Sequence, residues 1–113
     1  MAAIVNDTEI IFKEDITRKI NTDFGEYSDN AFETLKSAVE KIEYFKTDRV
    51  IRCIIFLSEG NIDDLNKFIE TATNDTRDVM LWAEYEKKKN DTNFKRIRDF
   101  NNTFEESANN VKE

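Results

Sequence analysis

Arginines and carboxylates are the side chains with which this sequence could do chemistry. Histidine is absent and cysteine occurs once. The commonest general base and the commonest metal ligand are therefore missing. Ser-His-Asp and Cys-His arrangements are excluded within one chain, and one cysteine without histidine does not make a usual zinc site. Two isolated glycines cannot form a phosphate-cradling loop. Carboxylates remain, alone or with Mg²⁺. Asp63-Asp64 and Glu105-Glu106 are adjacent pairs, but neighbours on a helix point in different directions. The expectation is a protein that is not an enzyme, with no catalytic residue, cofactor or metal.

The chemically interesting set lies in RVIRCIIFLSEGNIDDLNKFIETATNDTRDVMLWAEY, residues 49–85. Arg52 sits inside the most apolar run, where an unpaired charge is costly. It needs a carboxylate from another element, with Asp78 or Glu84 the expected donor, or else an exposed edge. Arg49 and Arg52 share a helical face by their spacing of three, and Asp78, Trp82 and Tyr85 share one by spacings of four and three. Arg49, Arg52, Asp78, Trp82, Glu84 and Tyr85 are thus the candidate protein-binding residues, because Trp, Tyr and Arg dominate interface energetics. The bland alternative is buried pairing for the arginines and a core position for Trp82. Cys53, flanked by Arg52 and Ile54, reads as a small buried core residue rather than a reactive thiol.

A second cluster is basic. Lys87, Lys88, Lys89, Lys95, Arg96 and Arg98 put six positive charges against one negative in residues 87–98. Phe94 lies among them and could stack on a base. This is the alternative, a nucleic-acid contact. A solvated helix end explains the same residues, and the net charge of −7 repels a long polyanion.

The elements that must position these groups read as helices. At 113 residues the chain is one domain, assigned to residues 1–106, with 107–113 a frayed polar tail. Proline is absent, and a chain this poor in turn residues is not a sandwich or barrel. Nine phenylalanines, each able to bury about 150–250 Å², can supply much of a core. Phe12, Ile16, Ile20 and Phe24 recur in steps of four, ending at Gly25, with a helix start near Asp7 or Thr8. Phe32, Leu35, Val39, Ile42 and Phe45 predict a helix over 31–46, with Asn30 and Glu33 as a capping box. Residues 50–57 are β-prone. Asp48 as N-cap, Gly60 as C-cap and the lack of a second strand-like run make them the central helix. Asn61 and Asp75 cap two further helices, and Phe94, Ile97, Phe100 and Phe104 predict a short final helix or packed arm. Caps spaced by about 13 residues suggest stacking, but the side chains do not repeat.

The predicted fold class is all-α, a compact bundle of about five short antiparallel helices, up-and-down or stacked hairpins. Phe32, Leu35, Val39, Ile42, Ile54, Leu57, Leu65, Ile69, Val79 and Trp82 are the expected core. No apolar window of about 18 residues occurs. The N-terminal stretch MAAIVNDTEII lacks the basic region of a signal peptide, and the lone cysteine cannot form an internal disulfide. The expectation is a cytoplasmic protein without a membrane partner. The functional expectation is a small acidic interaction module of adaptor, inhibitor or immunity type. Its partner is another protein with a basic surface, or a second copy in a homodimer. A ligand-binding bundle with a Phe-lined cavity is the remaining alternative.

Overall fold

A computed structural model describes residues 12–41, 47–86 and 95–107. The expected helix start near Asp7 or Thr8, the expected core residue Ile42 and the end of the predicted 31–46 helix lie outside the described residues. Among the described residues, five α-helices form an all-α bundle: α1 (Glu14–Phe24), α2 (Ser28–Lys41), α3 (Asp48–Ser58), α4 (Ile62–Asn74) and α5 (Thr76–Glu84).

Helix α1 carries Glu14 and Asp15 in its first turn, where negative charge suits the helix dipole. Its buried stripe is Ile16, Ile20 and Phe24, as the four-residue spacing predicts. Gly25 (φ 53°) ends it, and its N–H donates to the Asn21 carbonyl. A single 3₁₀ turn, Gly25–Tyr27, leads straight into α2. Helix α2 therefore starts at Ser28, not beyond Asn30. The Ser28 hydroxyl donates to the Gly25 carbonyl at 2.5 Å, which closes the turn between the helices and leaves Asn30 inside α2.

Helix α3 is buried on nearly every side. Val50, Ile51, Arg52, Cys53, Ile54, Ile55 and Ser58 are all inaccessible, which places this β-prone segment at the centre of the bundle against α1, α4 and α5. Its N-cap is Thr47, whose hydroxyl accepts from the Val50 N–H. Asp48, expected as the cap, is instead the first helical residue and pairs with Lys13 at 2.8 Å. Glu59 and Gly60 both take positive φ after Ser58. A Cβ on Gly60 would overlap the Asp23 carbonyl oxygen, so the α1 backbone lies directly against this turn. Asn61 and Asp75 cap α4 and α5 as predicted, accepting from the Asp64 and Arg77 N–H groups.

Leu35, Val39, Ile54, Leu65 and Val79 are buried, and Phe32, Leu57 and Ile69 are half-buried against them. Trp82 departs from the core expectation: it is 43% exposed. Val79 and Ala83 take the inward face of α5, which turns Trp82 outward.

After α5 the chain leaves helix. Tyr85–Glu86 pairs antiparallel with Lys95–Arg96, a two-residue exception to a wholly helical reading. Residues 97–107 form no final helix but a series of turns. This arm inserts Phe100 into the core, where it is 1% exposed. Ser107, assigned from sequence to a frayed tail, is buried. Its carbonyl accepts from the Asp99 N–H at 2.9 Å and its hydroxyl donates to the Phe104 carbonyl. No helix among the described residues is long and apolar enough to cross a membrane.

Candidate functional site

Two buried carboxylates organise the charged residues. Glu84, at the last position of α5, is 0% exposed. Arg49 Nε donates to its Oε2 at 3.0 Å and Arg49 Nη2 to its Oε1 at 2.6 Å. Arg96 Nη2 adds a bond to Oε1 at 3.1 Å, and the Phe100 N–H one to Oε2 at 2.9 Å. Four donor bonds, three of them from two guanidinium groups and one from the main chain, compensate a charge that would otherwise be too costly to bury. Arg49 reaches Glu84 because the first turn of α3 packs beside the last turn of α5. Arg96 reaches it because the strand pair folds the chain back over that end.

The second centre is Asp15, in the first turn of α1. Arg52 grips it with two parallel bonds, Nε to Oδ2 and Nη2 to Oδ1, both 2.9 Å. Both side chains are about 5% exposed. The partner of Arg52 is thus neither Asp78 nor Glu84. Arg52 faces α1 across the bundle, whereas Glu84 is taken by Arg49, one turn earlier on α3. Asp78 points into solvent. The Phe104 N–H also donates to Asp15 Oδ2, at 3.1 Å. Burial by itself would raise the Asp15 pKa. The Arg52 guanidinium and the Phe104 N–H outweigh it and hold the carboxyl below its ordinary value.

Cys53, which follows Arg52 on α3, is fully buried. Burial pushes its thiol pKa far up, and the Glu84 carboxylate pushes the same way. A thiol so placed is an inert core residue, not a nucleophile.

The six candidate binding residues therefore fall in four places. Arg49 and Glu84 form one ion pair. Arg52 belongs to another, across the bundle. Asp78 and Trp82 share the outer face of α5. Tyr85, expected on that helical face, is half-buried and already extended (φ −110°, ψ 145°), because the strand pair begins there. The outer face itself is an exposed apolar patch. Leu81 is 37% exposed beside Trp82. The Phe68 ring of α4 meets the indole edge-on at 6.3 Å, and Lys67 Nζ lies 5.5 Å over Phe68.

Of the basic cluster, Lys87, Lys88, Lys89 and Phe94 lie outside the described residues, and Lys95 enters only through its backbone pairing with Glu86. Arg96 is turned to Glu84 and Asp99. Arg98 donates to the Ala83 carbonyl and stands 4.4 Å over the Phe56 ring. Two of the charges proposed for a phosphate backbone are thus engaged within the protein. The ligand-binding alternative calls for a Phe-lined cavity, and among the described residues three rings of the arm region pack on one another. Phe56, Phe100 and Phe104 pack ring against ring at 5.3 and 5.4 Å. One surface cleft of about 420 Å³ nearby is lined by polar groups such as Lys13, Arg18, Asp48 and Asn102, and another of about 420 Å³ takes in Phe56 with Lys19, Thr22, Asp23 and Glu59.

Asp15, Asp99, Phe100 and Phe104 also belong to these centres, beyond the candidates that the sequence predicts. One signal for Asp15 existed: an acid next to the apolar stripe at Ile16 is a natural partner for a lone arginine in an apolar helix. The chain matches no family model, and neither a curated protein nor a solved structure is similar to it.

Proposed function

We propose that this chain is a small acidic protein-interaction module without catalytic chemistry, and that it binds a partner protein through the outer face of α5. One observation carries the reading. Trp82 is 43% exposed with Leu81 beside it, on a helix whose inner face is fully used by the core. A tryptophan left in water on a rigid helix, backed by the Phe68 ring, is the kind of anchor that concentrates binding energy. The partner's surface is basic. The accessible charges of helices α4 and α5 are Asp63, Asp64, Glu70 and Asp78 against Lys67 and Arg77, and the whole chain has net charge −7. Such an excess steers a basic target onto the patch. The buried carboxylates are poor candidates for acid-base work, because arginine and backbone donors already fill their oxygens.

The test is Trp82→Ala. The expected result is a denaturation midpoint close to that of the parent protein, with binding to the captured partner weakened by about 2 kcal/mol or more. The partner is obtained by pull-down from the encoding organism, identified, and titrated by calorimetry against both proteins. A partner held equally well by Trp82→Ala and by a companion Leu81→Ser variant refutes this face as the interface.

A further inference from the structure

The arm from Lys95 to Ser107 is held the way a protein holds a peptide ligand. Its seat is the groove between α1, α3 and α5. On either side of Phe100 a side chain of the helical body grips the arm's main chain. The Phe100 N–H donates to the Glu84 carboxylate at 2.9 Å, and the Phe100 carbonyl accepts from Arg52 Nη1 at 3.1 Å. Four residues on, the Phe104 N–H donates to Asp15 at 3.1 Å. Upstream, the Ile97 and Arg98 N–H groups both donate to the Glu84 carbonyl, at 2.8 and 3.0 Å. Main-chain bonds of this kind give affinity without reading sequence, and pockets for side chains supply the specificity. Here the rings do so: Phe100 is sunk between Phe56 and Phe104, and Arg98 lies flat over Phe56. Arg96 adds charge complementarity by reaching the buried Glu84. The seat is built by helices that also pack on one another, whereas the arm's own backbone bonds are turns such as Asn102 to Asp99 and Glu106 to Thr103.

The geometry points to this groove as a peptide-binding site that the arm fills in cis. Its ligand in trans is a partner segment with a basic residue two positions before an aromatic one and a second aromatic four positions after it. Arg98, Phe100 and Phe104 are the template for that pattern. The site is distinct from the Trp82 face and does not depend on it. Eight residues, 87–94, separate the strand partners Glu86 and Lys95. The arm and its seat belong to one chain, so the arm meets the seat in an intramolecular step. The arm therefore acts as an internal competitor, and a ligand in trans binds with an affinity reduced by the fraction of chains in which the seat is empty.

The probe is a fluorescein-labelled synthetic peptide of residues 95–107, titrated into the full chain and followed by anisotropy. The parent chain is compared with Phe104→Ala and, separately, Arg98→Ala. Both positions are half-buried at the edge of the arm, so each weakens the internal competitor while leaving the seat intact. Saturable binding is expected throughout, with an apparent Kd at least tenfold lower in the variants than in the parent. A peptide carrying both Phe100→Ala and Phe104→Ala should not bind. Absence of saturable binding to any of the chains overturns the proposal, as does an equal Kd for parent and variants or undiminished binding of the doubly substituted peptide. A dimer of the full chain that excess peptide dissociates gives the groove to the arm of a second copy and likewise overturns it.

Discussion

Replacing Glu84 by glutamine should cost far more than a loss of one surface charge. The carboxylate has two oxygens and four donors: Arg49 Nε and the Phe100 N–H on Oε2, Arg49 Nη2 and Arg96 Nη2 on Oε1. Glutamine keeps one acceptor oxygen and puts an NH₂ in the other place, so two donor bonds become donor–donor contacts whichever way the amide turns. Removing one partner of a buried ion pair costs about 3–5 kcal/mol. The Arg49 and Arg96 side chains retain 31% and 32% exposure, and water recovers part of that loss. The expected destabilisation is therefore about 2–4 kcal/mol, with bonds to charged groups individually in the range of about 1.5–3 kcal/mol. Against a total stability of about 5–15 kcal/mol this is a large fraction, and it corresponds to a melting temperature lower by about 10–20 °C. Urea unfolding followed by circular dichroism measures it as a shifted midpoint at unchanged slope. The exposed pair Arg77–Asp75 is the control, because Arg77→Ala should leave the midpoint where it is. A loss below about 1 kcal/mol for Glu84→Gln would refute the reasoning, since that is the scale of ordinary surface substitutions.

Arg52→Ala should cost about 3–5 kcal/mol in the same assay, mostly because Asp15 is left buried without its counter-charge. Asp15 has a lowered folded-state pKa, so its contribution is complete above the unfolded carboxylate value of about 3.9 and fades as pH falls through the lower folded value. Asp15→Asn should flatten the acid limb of the stability profile below about pH 4, and an unchanged limb would count against the pairing. Gly60→Ala should destabilise by more than about 1 kcal/mol, because a positive φ of 77° and the Asp23 carbonyl both oppose a side chain there; equal stability by thermal denaturation would contradict the close approach. Cys53 should resist Ellman's reagent in the native protein and react once denatured, whereas rapid native labelling would show an accessible thiol.

The helical body is legible in the sequence because its signals are local. Ile16, Ile20 and Phe24 mark the face of α1 by spacing, and Asn61 and Asp75 announce helix starts by their side-chain chemistry. The α3 segment was decided by its surroundings, since β-prone residues become helical when the helix is buried on all sides. The charged centres were less legible. That Arg52 needs a carboxylate follows from burial; which carboxylate depends on the packing angle of α1 against α3, and nothing local encodes that. Trp82 shows the same limit. Its spacing from Val79 is compatible with either face, and the choice fell to Ala83, whose small side chain lets α5 approach the core. The arm was least legible, because Phe100 is held by main-chain bonds to Glu84 and Arg52, and main-chain bonds leave no trace in residue type.

The outward placement of Trp82 has an optical consequence. It is the chain's single tryptophan, so the protein's indole emission comes from a surface fluorophore that water already reaches before any unfolding begins. Its spectrum is a weak indicator of the core's condition, and an unfolding curve recorded by it reports chiefly on the last turns of α5. Whatever settles onto that helix, by contrast, dehydrates the indole and shifts its emission to the blue. The molecule thus carries a label at the one place where contact with another surface would be read without chemical modification.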